Sequence, residues 1–288
     1  MTKANERRPP MTKELRFDGR TAIITGAGRG LGAAYALLLA SRGANVVVND
    51  LGDDADAVVA EITSAGGKAV AAKVSVASEE GVEQIYNTAI DAFGQIDILV
   101  NNAGILRDRS LKKMTLQEFD DVLAVHLRGS FMLSQKVFAH MSEQKYGRIV
   151  MTTSVAGLYG NFGQANYSSA KMGLVGLART LGQEGNRYGI NVNVISPGAL
   201  TAMTESMMDA NSESVPDKVA PMVGYLCHED CQESGAIYSS SGGRLSKVFV
   251  GQTQGVTLGE HTIEDVVQHL PEISDQTGYK LPAHAFDT

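Results

Sequence analysis

The sequence predicts an α/β fold: a doubly wound parallel sheet with helices on both faces, forming a single domain with a C-terminal extension. Short apolar runs alternate with segments of helical period from Thr21 to about Tyr238, the pattern of repeated strand–helix–strand units. A glycine turn, Thr25-Gly26-Ala27-Gly28-Arg29-Gly30-Leu31-Gly32, separates the first strand from the first helix. At 288 residues, with 43% hydrophobic and 20% charged, the chain can bury a full core in one such domain.

The first strand is Ala22–Thr25, and an apolar helical run, Ala33–Ala40, follows the glycine turn. Further strands are expected at Asn45–Asn49, Ala69–Val74, Ile98–Asn101, Arg148–Thr152, Asn191–Ile195 and Ala236–Tyr238. These runs are apolar without strict alternation, as strands covered on both faces should be. Helical periodicity marks Asp54–Ala65, Glu79–Phe93, Leu116–Gln144 and Ala165–Arg187. Gly66-Gly67, Gly94 and Gly189 stand where those helices should end. Residues 201–221 are rich in Ser, Asp and Met and interrupt the last strand–helix–strand passage. Residues 1–13, charged and carrying Pro9-Pro10, read as a disordered tail. The main domain is expected over 14–246, and 247–288 as an extension packed on it or on a neighbouring subunit.

The net charge of −7 comes without any basic block, which argues against nucleic acid or an anionic membrane as main partner. No stretch approaches the ~20 apolar residues needed to span a bilayer. Neither a signal-peptide core near Met1–Lys13 nor a Ser-Lys-Leu address at Ala285–Thr288 is present, so a cytoplasmic location is expected. Cys227 and Cys231 flank His228-Glu229-Asp230 without a second ligand cluster; they read as structural thiols near a helix end, with no metal.

The glycine turn is spaced G-x-x-x-G-x-G, and its backbone can approach a pyrophosphate at the helix N-terminus. Gly26, Arg29, Gly30 and Leu31 are the candidates for that contact. Asp50, closing the second strand, can accept hydrogen bonds from adenosine ribose hydroxyls and would repel a 2′-phosphate. Arg29 pulls the other way, yet the strand-tip carboxylate outweighs it, so NAD is expected over NADP. Asn101-Asn102-Ala103-Gly104 either leaves room for the cofactor or is a plain turn. Tyr167 and Lys171 lie i, i+4 on one helix face, where an ammonium should lower the phenol pKa and fit Tyr167 for acid/base work. Ser154, ending the fifth strand, can hold the same substrate oxygen.

Taken together, T-G-x-x-x-G-x-G, N-N-A-G, Ser154, Y-x-x-x-K and Pro197-Gly198 resemble the short-chain dehydrogenase/reductase family over about Leu15 to Tyr238. Val48–Gly52, Asn102–Ser110, His126–Phe131, Tyr159–Tyr167 and Leu226–Glu229 are similar to the (3R)-hydroxyacyl-CoA dehydrogenase modules of peroxisomal multifunctional enzymes of type 2 and their bacterial relatives. The resemblance implies a Rossmann fold, Tyr167 as acid/base, Ser154 as hydroxyl anchor and Lys171 on the nicotinamide ribose. It also places Ser75, Val76, Asn102, Ala103, Gly104 and Pro197 around the cofactor. His126 stands where most of the family carries an Asn that anchors a water relay; it either donates to that relay or is a structural helix histidine. Ser75-Val76 replaces the family's Asp-Val beside adenine, and neither Thr201 nor Thr204 falls at the family's usual offset.

The implied reaction interconverts a (3R)-3-hydroxyacyl-CoA thioester and its 3-ketoacyl-CoA with NAD. The alternatives are a hydroxysteroid or steroid side-chain CoA dehydrogenase and a non-catalytic NAD-binding module. Met203, Met207 and Met208 suit either an adaptable lid over an acyl or steroid body or gap-filling in a helix. If the substrate is a CoA ester, Arg107, Arg109, Lys112 and Lys113 are candidates to meet its phosphates. In this family the helical stretches Leu116–Gln144 and Ala165–Arg187 would pair with their copies, so a homodimer or homotetramer is expected.

Overall fold

The computed structural model describes residues 13–199 and 214–282. The expected methionine lid, Thr201, Thr204, Ala285–Thr288 and the first twelve residues of the tail lie outside the described residues. The chain divides into two compact units, one running to Ser246 and the other beginning at Lys247.

The first unit contains β1 (Thr21–Thr25), α1 (Gly30–Ser41), β2 (Asn45–Asn49), α2 (Asp54–Ser64), β3 (Lys68–Ala72), α3 (Glu79–Phe93) and β4 (Ile98–Asn101). It continues with α4 (Leu116–Leu123), a π-helical turn (Ala124–Arg128), α5 (Gly129–Gln144), β5 (Gly147–Thr152), α6 (Val155–Tyr159), α7 (Ala165–Gly185) and β6 (Ile190–Gly198). After the undescribed stretch come α8 (Ala220–Cys227), β7 (Ile237–Ser241) and β8 (Arg244–Val248), the last crossing the boundary between Ser246 and Lys247. Sheet order is β3-β2-β1-β4-β5-β6-β7-β8, with parallel pairing from β3 through β7. The direction of winding reverses between β1 and β4, and a crevice opens at the carboxyl ends of strands at such a point.

The central strands are apolar because both faces are covered: every residue of β1, β4 and β5 is buried. α1 packs against α2 and α8, while α3 and α7 pack against α5. Gly94 caps α3 at a left-handed φ of 77°, and Gly189 turns into β6 at 71°.

Two features depart from the expected element map. The long helix at Leu116–Gln144 is not continuous: the π turn divides it, inserting His126 into the crevice side. Gly129, the first residue beyond the turn, lies so close to Val76 that a Cβ would stand 2.7 Å from its carbonyl oxygen. An eighth strand also follows the seven expected. Gly242 and Gly243, at φ 55° and 84°, form a two-residue turn from β7 into β8, which only an antiparallel pair allows. β8 is polar and exposed, so it lacks the apolar signature used to find the others.

In the second unit, Gln252 and Lys280 form an antiparallel bridge, and Phe249 stacks on Tyr279 with centroids 5.6 Å apart. α9 (Ile263–Ile273) begins with a Thr262–Asp265 capping box. Among the described residues no helix is long and apolar enough to cross a membrane.

Candidate active site

A cleft of about 650 Å3 opens at the carboxyl ends of β1, β2, β4, β5 and β6. Gly26, Arg29, Gly30, Leu31 and Asp50 line one part of it, with Ser75 and Val76. Asn102, Ala103, Gly104 and Pro197 line it as well, together with Ser154, Tyr167, Lys171 and His126. Residues from eight separate segments thus reach one space.

The floor under the glycine turn is fixed by reciprocal bonds between β1 and β4. Thr25 Oγ1 accepts the amides of Asn102 and Ala103, both at 3.0 Å. Asn102 Nδ2 donates to the carbonyls of Thr25 and Gly26 at 3.0 and 3.1 Å. Gly26 sits at φ 62°, and a Cβ there would lie 2.8 Å from Ala103 Cα. The Asn-Asn-Ala-Gly segment therefore braces the turn. Asp50 is braced too: its Oδ2 accepts Gly28 N–H at 2.9 Å and its Oδ1 accepts Leu51 N–H at 2.7 Å. A Cβ on Gly28 would meet that carboxylate at 2.9 Å. Arg29, by contrast, is exposed. A backbone cradle at a helix N-terminus with a fixed carboxylate at the second strand tip fits a nicotinamide dinucleotide.

Ser154 caps α6, accepting Ala156 N–H at 3.2 Å, and its hydroxyl shares the cleft with the Tyr167 phenol. Lys171, one turn along α7, donates from Nζ to the Thr152 carbonyl at 2.6 Å, while Thr153 Oγ1 donates to the Lys171 carbonyl at 2.7 Å. Gly157 permits this fit, since a Cβ there would stand 2.6 Å from Lys171 Cβ.

The charge state differs from the one expected. Burial lowers the Lys171 pKa to about 7. Its Nζ stands 5.5 Å from the centroid of the Tyr167 ring. Desolvation moves the Tyr167 phenol above its ordinary value, helped by Asp108 and opposed by the Ser154 hydroxyl. Lys171 does not lower the phenol in the chain by itself, because burial removes much of the ammonium charge that would do so.

His126 is 1% exposed and meets the Tyr167 ring edge to face, with centroids 5.2 Å apart. Its Nε2 lies 2.8 Å from the Ile105 carbonyl oxygen and 3.0 Å from the Ile105 amide nitrogen. Burial, with Lys171 nearby, lowers its pKa to about 3, so the ring is neutral in the working range. Gly104 leaves room for it: a Cβ there would stand 2.3 Å from His126 Cε1.

Several residues of this site were not singled out from sequence. Thr152 and Thr153 act through bonds to Lys171 that no spacing announces. Asn166, directly before Tyr167, looks like an ordinary helix-start residue, yet it is fully buried and hydrogen-bonded to three partners.

The short chain dehydrogenase family profile matches residues 20–214, and the chain belongs to that family. It is therefore an oxidoreductase of hydroxyl and keto groups. It is 49% identical over 288 residues to peroxisomal multifunctional enzyme type 2 of Mus musculus, covering 94% of this chain and 39% of that one. The solved full-length peroxisomal multifunctional enzyme type 2 of Drosophila melanogaster superposes with a TM-score of 0.79 at 44% identity, over 93% of this chain and 47% of that one. A 7α-hydroxysteroid dehydrogenase solved with NADH and 7-oxo glycochenodeoxycholic acid gives a TM-score of 0.75 at 34% identity, covering 79% and 95% of the two chains. This chain thus spans less than half the length of these two multifunctional relatives.

Proposed function

We propose that this chain is an NAD-dependent dehydrogenase that interconverts (3R)-3-hydroxyacyl-CoA thioesters and 3-ketoacyl-CoA thioesters. The observation that carries this reading is that Ser154, Tyr167 and buried Lys171 line the same cleft as the Asp50-braced glycine turn. When bound, the nicotinamide supplies the hydride chemistry. In reduction the Tyr167 phenol gives its proton to the substrate oxygen, and its raised pKa keeps it protonated and ready as an acid at neutral pH. In oxidation the same oxygen takes the proton from the alcohol. Ser154 holds that oxygen by a second hydrogen bond and so fixes its approach. Lys171, lining the cleft beside Tyr167, would hold a ribose hydroxyl of the bound nucleotide through its Nζ. Asp50 favours NAD, because its carboxylate lies against the glycine turn and opposes a 2′-phosphate.

A hydroxysteroid is the second reading, favoured by the likeness to the 7α-hydroxysteroid dehydrogenase. Steady-state rates on a straight-chain (3R)-hydroxyacyl-CoA and on a free hydroxysteroid, each with NAD and NADP, separate the two. The thioester with NAD is expected to give the highest kcat/KM; a preference for the free steroid above about tenfold, near 1.4 kcal/mol, overturns the thioester assignment. Tyr167→Phe should abolish turnover while leaving NAD binding intact, whereas a non-catalytic binding module would show no turnover to lose.

A homodimer or homotetramer fits an apolar hollow of about 570 Å3 on the face of α4, the π turn, α5 and α7, where Phe131 is 45% exposed. Free Cys227 and Cys231 suit a reducing compartment, and the cytoplasm is our reading, although several relatives carry peroxisomal names.

A further inference from the structure

The segment Ile105–Asp108 leaves the Asn-Asn-Ala-Gly turn and runs along the cleft, which Ile105, Leu106 and Arg107 line. Three ties bind this segment to the surroundings of Tyr167. Ile105 meets His126 Nε2 from the π turn, at 2.8 Å through its carbonyl and 3.0 Å through its amide. The Arg107 carbonyl accepts from Asn166 Nδ2 at 3.0 Å. The Asp108 carboxylate accepts from Gln164 Nε2 at 2.7 Å.

Asn166 is the centre of these ties. Its second amide hydrogen goes to the Glu118 carbonyl of α4 at 3.0 Å, and its Oδ1 accepts the Tyr167 amide at 2.8 Å. Both hydrogens and the oxygen are thus used, on a side chain with no exposed surface. That amide joins three elements at one point: the cleft-lining segment, α4 and the first turn of α7. Buried amides satisfied on every side hold one geometry, because displacing any partner leaves a desolvated polar group unpaired.

We propose that Asn166 is a positioning residue for Tyr167, locking the phenol-bearing turn of α7 to the Ile105–Asp108 wall so that the two move as one body. A substrate that packs on the wall then fixes its distance to the phenol in the same act. This deepens the reading of the cleft as a dehydrogenase site and rests on it. The tie also explains why Gln164 and Asn166 flank the helix start while neither touches the cleft: their work is on the wall.

The same wall acts on the phenol electrostatically, since the Asp108 carboxylate disfavours the phenolate. The other titratable groups around the phenol are Lys171 on its own helix and His126 on the π turn. Arg107 and Arg109 are held by Asp121 and Glu118 of α4, with nitrogen–oxygen distances of 4.0 and 2.7 Å.

Asn166→Ala and Asn166→Asp test the tie in the full-length chain. The Asp variant keeps the shape and the bond from the Tyr167 amide but has no hydrogen to give to Arg107 or Glu118. Both are expected to lose kcat by about ten- to a hundredfold, as small misplacements of reacting groups do, with the NAD dissociation constant unchanged. Asp108→Asn supplies a readout that a merely structural role would not move. It keeps an acceptor for Gln164, and it should shift the acid limb of the alcohol-oxidation profile to lower pH. The Tyr167 ionisation itself can be followed by tyrosine absorbance, free of Trp because the chain has none, as the step absent from Tyr167→Phe. That titration needs no substrate, so failure to turn over CoA thioesters would count against the proposed function and not against the tie. The proposal is overturned if Asn166→Ala and Asn166→Asp retain kcat within about twofold, or lose NAD binding in parallel with kcat. It is equally overturned if Asp108→Asn leaves the Tyr167 titration where it was.

Discussion

His126 shows how much a single buried side chain can charge against stability. In the fold its pKa is about 3, against 6.5 for the free group, because burial and neighbouring Lys171 disfavour the imidazolium. The unfolded chain therefore binds a proton that the folded chain refuses. Stability from this residue is fully present above about pH 6.5 and is lost as pH falls toward 3. At pH 4.5 the loss should be roughly 2–3 kcal/mol relative to pH 7, by linkage at 1.36 kcal/mol per unit. Urea denaturation at the two pH values checks this. His126→Phe should flatten the difference, and an equal acid loss in that variant would assign it to other groups. Lys171 acts in the same direction in a higher window: with a folded pKa of about 7 against 10.5, it too makes the fold more stable as pH rises between those values.

At the scale of elements, the glycine turn and the π turn perform the positioning. Gly28 is constrained by a side chain rather than by its own φ: a Cβ there would stand 2.9 Å from both Asp50 Oδ2 and Asp54 Cβ. Gly28→Ala should thus displace the Asp50 carboxylate and break the 2.9 Å bond to the Gly28 amide. NAD affinity should fall by about tenfold or more, near 1–3 kcal/mol, while circular dichroism shows the sheet intact. Fluorescence titration with NADH measures it; unchanged affinity would remove Asp50 from the ribose site. The glycine turn was legible because its glycines, strand and helix are contiguous. The π turn was not, since Leu116–Gln144 carries one unbroken helical pattern and the break answers to Gly129 approaching Val76, far away in sequence.

For the whole molecule, the division at Ser246 and Lys247 leaves every residue of the cleft in the first unit. The order β3-β2-β1-β4-β5-β6-β7 gathers the glycine turn, Asp50 and the Ser154–Tyr167–Lys171 group at one sheet edge. A chain ending after Val248, which keeps β8, should therefore fold and bind NADH within about threefold of the full chain, or ~0.7 kcal/mol. A larger loss would show that the second unit contributes to cofactor binding. Turnover of the truncated chain reports separately on any part residues 247–288 play with substrate.

The sequence by itself determined the strand–helix alternation and the motifs whose residues line the cleft. These rest on local periodicity and on short spacings, such as Tyr167 and Lys171 on one face of a helix, and contiguous chain physics sets both. The tertiary structure alone decided the charge states and the ties. Lys171 at about 7, His126 at about 3 and the raised Tyr167 phenol follow from desolvation, which depends on what covers a group after the chain closes. Asn166 reaches Arg107 and Glu118 across 59 and 48 residues of sequence, and no periodicity records contacts of that span. β8 escaped for the converse reason: a polar, exposed strand is fixed by its glycine turn and its neighbour, not by burial of its own side chains.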